Sequence, residues 1–152
     1  MTKLKLNLYD DYSKEYSIIG ISCHLKDYRL IYNINKELNC DLKKYNDLVI
    51  YPIKGKIKNS FSFYSCTDDF IEYNIIANRN PEGFLFTKQR QIDYILILKG
   101  PIDSMRKKSI LNSILKIPGV LTSFEIMINS IQNLDVILSD LEIHLLKISK
   151  DG

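Results

Sequence analysis

Tryptophan is absent from this 152-residue chain, histidine occurs twice, and glycine occurs six times, always singly. Each shortage excludes a kind of chemistry. The three cysteines, Cys23, Cys40 and Cys66, show no CxxC spacing, and the histidines, His24 and His144, lie far apart, so no metal site is expected. Cys23 and His24 are neighbours, and on a strand neighbouring side chains point to opposite faces, so they do not share an ion. With no GxGxxG, GxxxxGK[ST] or GxSxG, a nucleotide-hydrolysing enzyme is not expected, and no cofactor is implied. An odd, sparse set of cysteines points to reduced thiols and a cytoplasmic location. No apolar run approaches the roughly 18–20 residues of a membrane-spanning helix. Leu4, Leu6 and Leu8 alternate with polar residues and acids follow, so neither a secretory signal nor a membrane partner is expected.

Valine is scarce too: three against 24 isoleucines, in a chain rich in asparagine and lysine. That skew reads as a coding bias, and it discounts the net charge of +3 as a sign of nucleic-acid binding. What is present is ordinary for a globular chain, with 45% hydrophobic and 26% charged residues and no repeat or linker. The length fits one domain, residues 1–152, able to bury about 68–70% of its unfolded surface.

The alternation of Leu4, Leu6 and Leu8 predicts a half-buried strand with a basic outer face. SIIGISCH (17–24) reads as a central strand. A helix follows from about Lys26 to Asn39, with Leu30, Ile31, Ile34 and Leu38 on one face. DLVIYPI (47–53) reads as a strand that ends at Pro52 or lies at an edge, and KGKIKN (54–59) as a turn. SFSFYSC and FIEYNIIAN are strands joined by Thr67-Asp68-Asp69, and NRNPEG (78–83) is a loop. IDYILILKG is a strand. Asp103 or Ser104 caps the next helix, whose core face is Ile110, Leu111, Ile114 and Leu115. IPGV (117–120) ends it, LTSFEIMI returns as a strand, and Leu134, Ile137, Leu138, Leu141, Leu145 and Ile148 form the stripe of a last helix. The expected fold is α+β: a ferredoxin-like or ACT-like sandwich with a mostly antiparallel sheet and helices mainly on one face.

Two stretches are more specific: CHLKDYRLIYNINKEL (23–38) and FTKQRQIDYILIL (86–98). Together they resemble the IPExxxVDY family of small bacterial proteins. The signature falls on residues 86–94; Ile92-Asp93-Tyr94 keeps its second half, while Phe86, Thr87 and Lys88 stand where the family has Ile, Pro and Glu. The resemblance spans roughly residues 4 to 130. It implies no activity, cofactor or catalytic residue.

Two clusters of cations stand at helix starts, where unpaired main-chain N–H groups already favour an anion. Lys26, Asp27, Tyr28 and Arg29 open the first helix, and Arg106, Lys107 and Lys108 the second. Either cluster is a solvated face with local ion pairs or a site for an anionic partner. Lys88 and Arg90, in the polar run before Ile92, form a plain loop or a contact surface; Asp93 is expected to pair with one of them, with Arg29, or with a partner. Phe61 and Phe63 in SFSFYSC faintly imitate an RNA-stacking strand, but two phenylalanines on one face belong in a core. The expected function is a non-enzymatic binding or adaptor module contacting a protein or RNA through Lys26, Asp27, Tyr28, Arg29, Lys88, Arg90, Asp93 and Tyr94. Arg106, Lys107 and Lys108 are a lesser candidate for an anion. An ACT-like sensor of a small anion or metabolite is the alternative, and a thiol-dependent enzyme using Cys23 or Cys66 a third reading. An exposed edge strand would make a homodimer.

Overall fold

The uninterrupted apolar run Tyr94–Leu98 has no polar alternation, which marks a strand buried on both faces. The computed structural model, which describes residues 12, 15–51, 59–68 and 70–151, places that run at the centre of a sheet. In chain order the elements are β1 (Tyr16–Cys23), α1 (Asp27–Leu38), β2 (Lys43–Ile50), β3 (Asn59–Asp68), β4 (Ile71–Ala77), β5 (Arg79–Asn80), β6 (Gly83–Phe84), β7 (Tyr94–Lys99), α2 (Ser104–Leu115), β8 (Val120–Glu125) and α3 (Leu134–Asp151). Six strands form one sheet in the order β2-β3-β4-β7-β1-β8, and every pairing in it is antiparallel. The fold is α+β.

Successive residues of the inner strands belong to two different apolar clusters, as the period of two requires. Ile18, Phe61, Phe63, Ile76, Ile95 and Ile97 pack with Leu134, Ile137, Leu138 and Leu141 of α3. Ile19, Ile21, Ile75, Leu96 and Leu98 pack with Leu30, Ile31 and Ile34 of α1 and with Ile110 and Ile114 of α2. Each fully buried isoleucine here contributes about 1.5–3 kcal/mol of transfer free energy. The expectation of helices mainly on one face describes α1 and α2. The opposite face is not left bare, because the six-residue stripe of α3 matches the apolar side chains on it.

Helix ends follow local chemistry. Asn39, at φ 53°, closes α1 in the left-handed conformation that asparagine tolerates, and its N–H returns to Asn35 O. Asp103, rather than Ser104, caps α2, accepting Arg106 N–H at 2.8 Å. Gly119, at φ +97°, makes the turn out of α2, where a Cβ would lie 2.8 Å from Leu25 Cδ2.

Several expectations shift. β2 begins at Lys43, four residues before Asp47, and it is one of the two edge strands of the described sheet. The 78–83 loop contains a small hairpin, β5 paired with β6. Leu115, expected in the core, is 45% exposed, because it is the last residue of α2, where the chain is already turning away. The expected strand at Leu4–Leu8, the stop at Pro52 and most of the KGKIKN turn lie outside the described residues.

Candidate functional site

Three chain segments converge where β1 ends, α1 begins and β7 begins. Ala77 of β4 pairs with Tyr94 of β7, and Ile21 of β1 also pairs with Tyr94, so the residues just beyond these pairs share one end of the sheet. There they line an open cleft of about 310 Å³ that includes His24, Asp27, Ala77, Arg79, Asp93 and Tyr94.

Asp93 works as a clasp. Its Oδ2 accepts the Cys23 N–H at 2.9 Å, and its Oδ1 is ion-paired with the Arg79 guanidinium. Its main chain donates to Ile21 O and accepts from Asn78 N, each at 2.9 Å. Next to it, the Tyr94 hydroxyl donates to Asp27 Oδ1 at 2.6 Å. Burial first, and then that hydrogen bond to a carboxylate, hold the Tyr94 phenol well above the ordinary tyrosine range. The two stretches that carry the family resemblance therefore touch one another, residue 27 with residue 94 and residue 23 with residue 93.

Both carboxylates of the cleft are thus engaged, one by a cation and one by a phenol. Asp93 meets Arg79 rather than Lys88, Arg90 or Arg29, which corrects the expected pairing. Sequence reasoning had no way to single out Arg79, because its approach to Asp93 is set by the β4–β7 register. His24 is exposed at the rim, opposite in sense to buried Cys23. Among the described residues, no three His, Cys, Asp or Glu side chains gather closely enough to hold a metal ion.

The polar run 87–91 is organised by a residue that the sequence did not flag. Asn78 is fully buried, and its side-chain amide donates to Gln89 O at 3.0 Å and to Ile92 O at 2.8 Å. Its Oδ1 accepts Phe86 N–H at 2.8 Å, and its main-chain oxygen accepts Leu85 N–H at 2.7 Å. Buried polar atoms need such satisfaction, and one asparagine supplies it to a whole loop. Lys88 and Arg90 stand outside this frame, exposed. The Arg90 guanidinium lies 5.3 Å from the centre of the Phe84 ring, and its Nε donates to Thr87 O at 3.3 Å.

At the start of α1, Lys26, Tyr28 and Arg29 are exposed. Among the described residues, neither Lys26 nor Arg29 has an ion pair. Tyr28 is 66% exposed, and Tyr32, one turn further on, is 68% exposed. The start of α2 differs: Lys107 is bonded to Glu125 at 2.8 Å, and the Arg106 guanidinium donates to Tyr73 Oη at 3.1 Å. The chain's own groups thus meet two of the three cations there, leaving Lys108 exposed.

Phe61 and Phe63 are buried, as the core reading of that strand expected. Among the described residues, no hydrogen bond joins a histidine to a cysteine; His144 Nε2 bonds Asn46 O at 2.8 Å instead. No described helix is long and apolar enough to cross a membrane. Compared with models of known protein families and with curated proteins, the chain matches none.

Proposed function

We propose that the chain is a non-enzymatic, cytoplasmic binding module that takes a protein partner on the outer face of α1, beside the cleft. The observation that carries this is the Tyr28–Tyr32 pair, two large exposed rings one helical turn apart, beside Lys26 and Arg29, which have no ion pair among the described residues. Exposed aromatics mark interfaces, and tyrosine and arginine are the residues that dominate their energetics. The two cations at a helix start favour an acidic partner surface, which would also complement the helix dipole. Lys88 and Arg90, expected in the same surface, are carried by a loop whose Leu85, Phe86 and Ile92 pack with α3 on the opposite face of the sheet. A protein is favoured over RNA because Phe61 and Phe63, the aromatics of the strand that imitates a base-stacking platform, are buried under α3.

Membership of the IPExxxVDY family belongs to the same proposal. It is supported by the contact of Asp27 with Tyr94, which gives the shared residues a common structural task.

A second reading is an ACT-like sensor. It is supported by the strand order β8-β1-β7-β4 with α1 and α2 on one face, the order expected of a ferredoxin-like core, to which the β2–β3 hairpin would be an extension. A ligand carboxylate could compete with Asp93 for Arg79 in the cleft. A homodimer through an edge strand, β2 or β8, fits either reading.

The test is affinity capture with the full chain, comparing wild type with Arg29→Glu and Tyr32→Ala, and with Lys108→Glu as a control on α2. A defined protein, recovered about tenfold less by either α1 variant and undiminished by the control, supports the surface. Equal recovery by all four baits refutes it. Recovery abolished by ribonuclease replaces the protein partner with RNA, and a melting shift with a small carboxylate that Arg79→Ala removes favours the sensor.

A further inference from the structure

The β2–β3 ladder pairs Lys43 with Ser65. The residues just before β2 therefore run beside the residue just after Ser65, which is Cys66. As a result Cys40, in the short connection from α1 to β2, comes beside Cys66 across a gap of 25 intervening residues, close enough for each thiol to shift the other's titration. Both side chains are partly buried against the same apolar cluster, so they are neither sealed in nor free to swing away.

The connection is held in place. Asn35 Oδ1 accepts Leu42 N–H at 2.8 Å and the Cys40 thiol at 3.4 Å, while its Nδ2 donates to Leu42 O at 3.2 Å. The main chain around Asp41 also donates to the Cys66 sulfur. The pair is asymmetric. The interaction between the two thiols draws Cys66 below its ordinary value and pushes Cys40 up. The remaining thiol, Cys23, is buried on β1, 3.9 Å from Leu25 O.

We propose that Cys40 and Cys66 form a reversible redox pair that takes oxidising equivalents from low-molecular-weight disulfides. Cys66, as thiolate, attacks one sulfur of the small disulfide, forming a mixed disulfide and expelling one thiolate. Cys40 then loses its proton and attacks Cys66 Sγ, forming the Cys40–Cys66 bond and expelling the second thiolate. The two expelled groups take up the two protein protons. The protein pair is oxidised by two electrons and the small disulfide is reduced to two thiols. The new bond would tie the end of α1 to β3 across the Asn39–Leu42 connection. It is independent of the surface proposed at the other end of α1.

The experiment treats the reduced full chain with oxidised glutathione, quenches by alkylation and maps the peptides by mass. The expected product is one Cys40–Cys66 cross-link with Cys23 alkylated. Cys40→Ser should stall with glutathione attached to residue 66, and Cys66→Ser should react about tenfold more slowly than wild type. A cross-link containing Cys23, first attachment at Cys40 in the wild type, or equal rates for Cys66→Ser and wild type would overturn the assignment. So would a native chain that stays reduced under conditions that oxidise the same chain in urea.

Discussion

The side-chain amide of Asn78 donates to the main-chain oxygen of Ile92 at 2.8 Å, so one buried polar group sets where β7 enters the sheet. Removing it leaves the carbonyls of Gln89 and Ile92 and the N–H of Phe86 without their partner. Asn78→Ala should therefore lower stability by about 3 kcal/mol, and Asn78→Asp by no less, since a carboxylate presents oxygen to two carbonyls. Urea unfolding measures this. A loss under about 1 kcal/mol would mean that water replaces the amide without penalty.

Tyr94 offers a second measurement. Tyr94→Phe deletes the 2.6 Å bond to Asp27 and should cost about 1–2 kcal/mol, as for a hydrogen bond to a charged acceptor. The sign of its pH dependence follows from the raised phenol. The folded state holds Tyr94 neutral, so its contribution is complete below the ordinary value of 10.0 and is lost as pH rises past it. The variant should lose less stability on the alkaline side than the wild type does. Parallel alkaline limbs would contradict this.

Glu142 governs the acid side at the opposite edge of the molecule. Its Oε1 accepts from Lys99 Nζ and from the Tyr16 hydroxyl, each at 2.8 Å, and these two bonds, Lys99 first, hold its carboxyl below the ordinary 4.5. A depressed carboxyl contributes above its unfolded value, and that contribution disappears as pH falls through the folded one. Glu142→Gln should flatten the decline in stability below about pH 4.5. At neutral pH the change should stay within about 1 kcal/mol, because the side chain is 52% exposed and solvent screens the pair. Thermal melts from pH 7 to pH 3 decide it.

Gly100 is a backbone test. At φ +133° a Cβ would lie 2.4 Å from Phe70 O, and main chain does not yield as a side-chain tip does. Gly100→Ala should cost about 2–3 kcal/mol. A melting temperature unchanged from wild type would show that the β7–α2 turn rearranges freely.

Much of the architecture was legible because burial writes itself into period. The run from Tyr94 to Leu98 announced a strand, though not that it is covered on both sides, and Leu30, Ile31 and Ile34 announced the inner face of α1. Which face each helix covers was not legible, since a stripe says that it is buried but not against what. The site was half legible. Asp27, Asp93 and Tyr94 do come together, and Lys26 and Arg29 do lack partners among the described residues. Arg79 and Asn78 were hidden in a stretch that read as an ordinary turn, because their partners are fixed by strand register. The same holds for Cys40 and Cys66. Their meeting depends on β2 starting at Lys43, within a polar KKYND stretch that no hydrophobic pattern would mark as strand.

Because α3 is the last described element in chain order yet brings Leu134, Ile137, Leu138 and Leu141 onto one sheet face, synthesis passes through a stage in which that face lacks these four side chains. Until residues 134–151 have left the ribosome, a nascent chain with its strands assembled lacks the cover that α3 gives Phe61, Phe63, Ile95 and Ile97. Such an intermediate is a natural client for a holdase chaperone and a hazard in its absence.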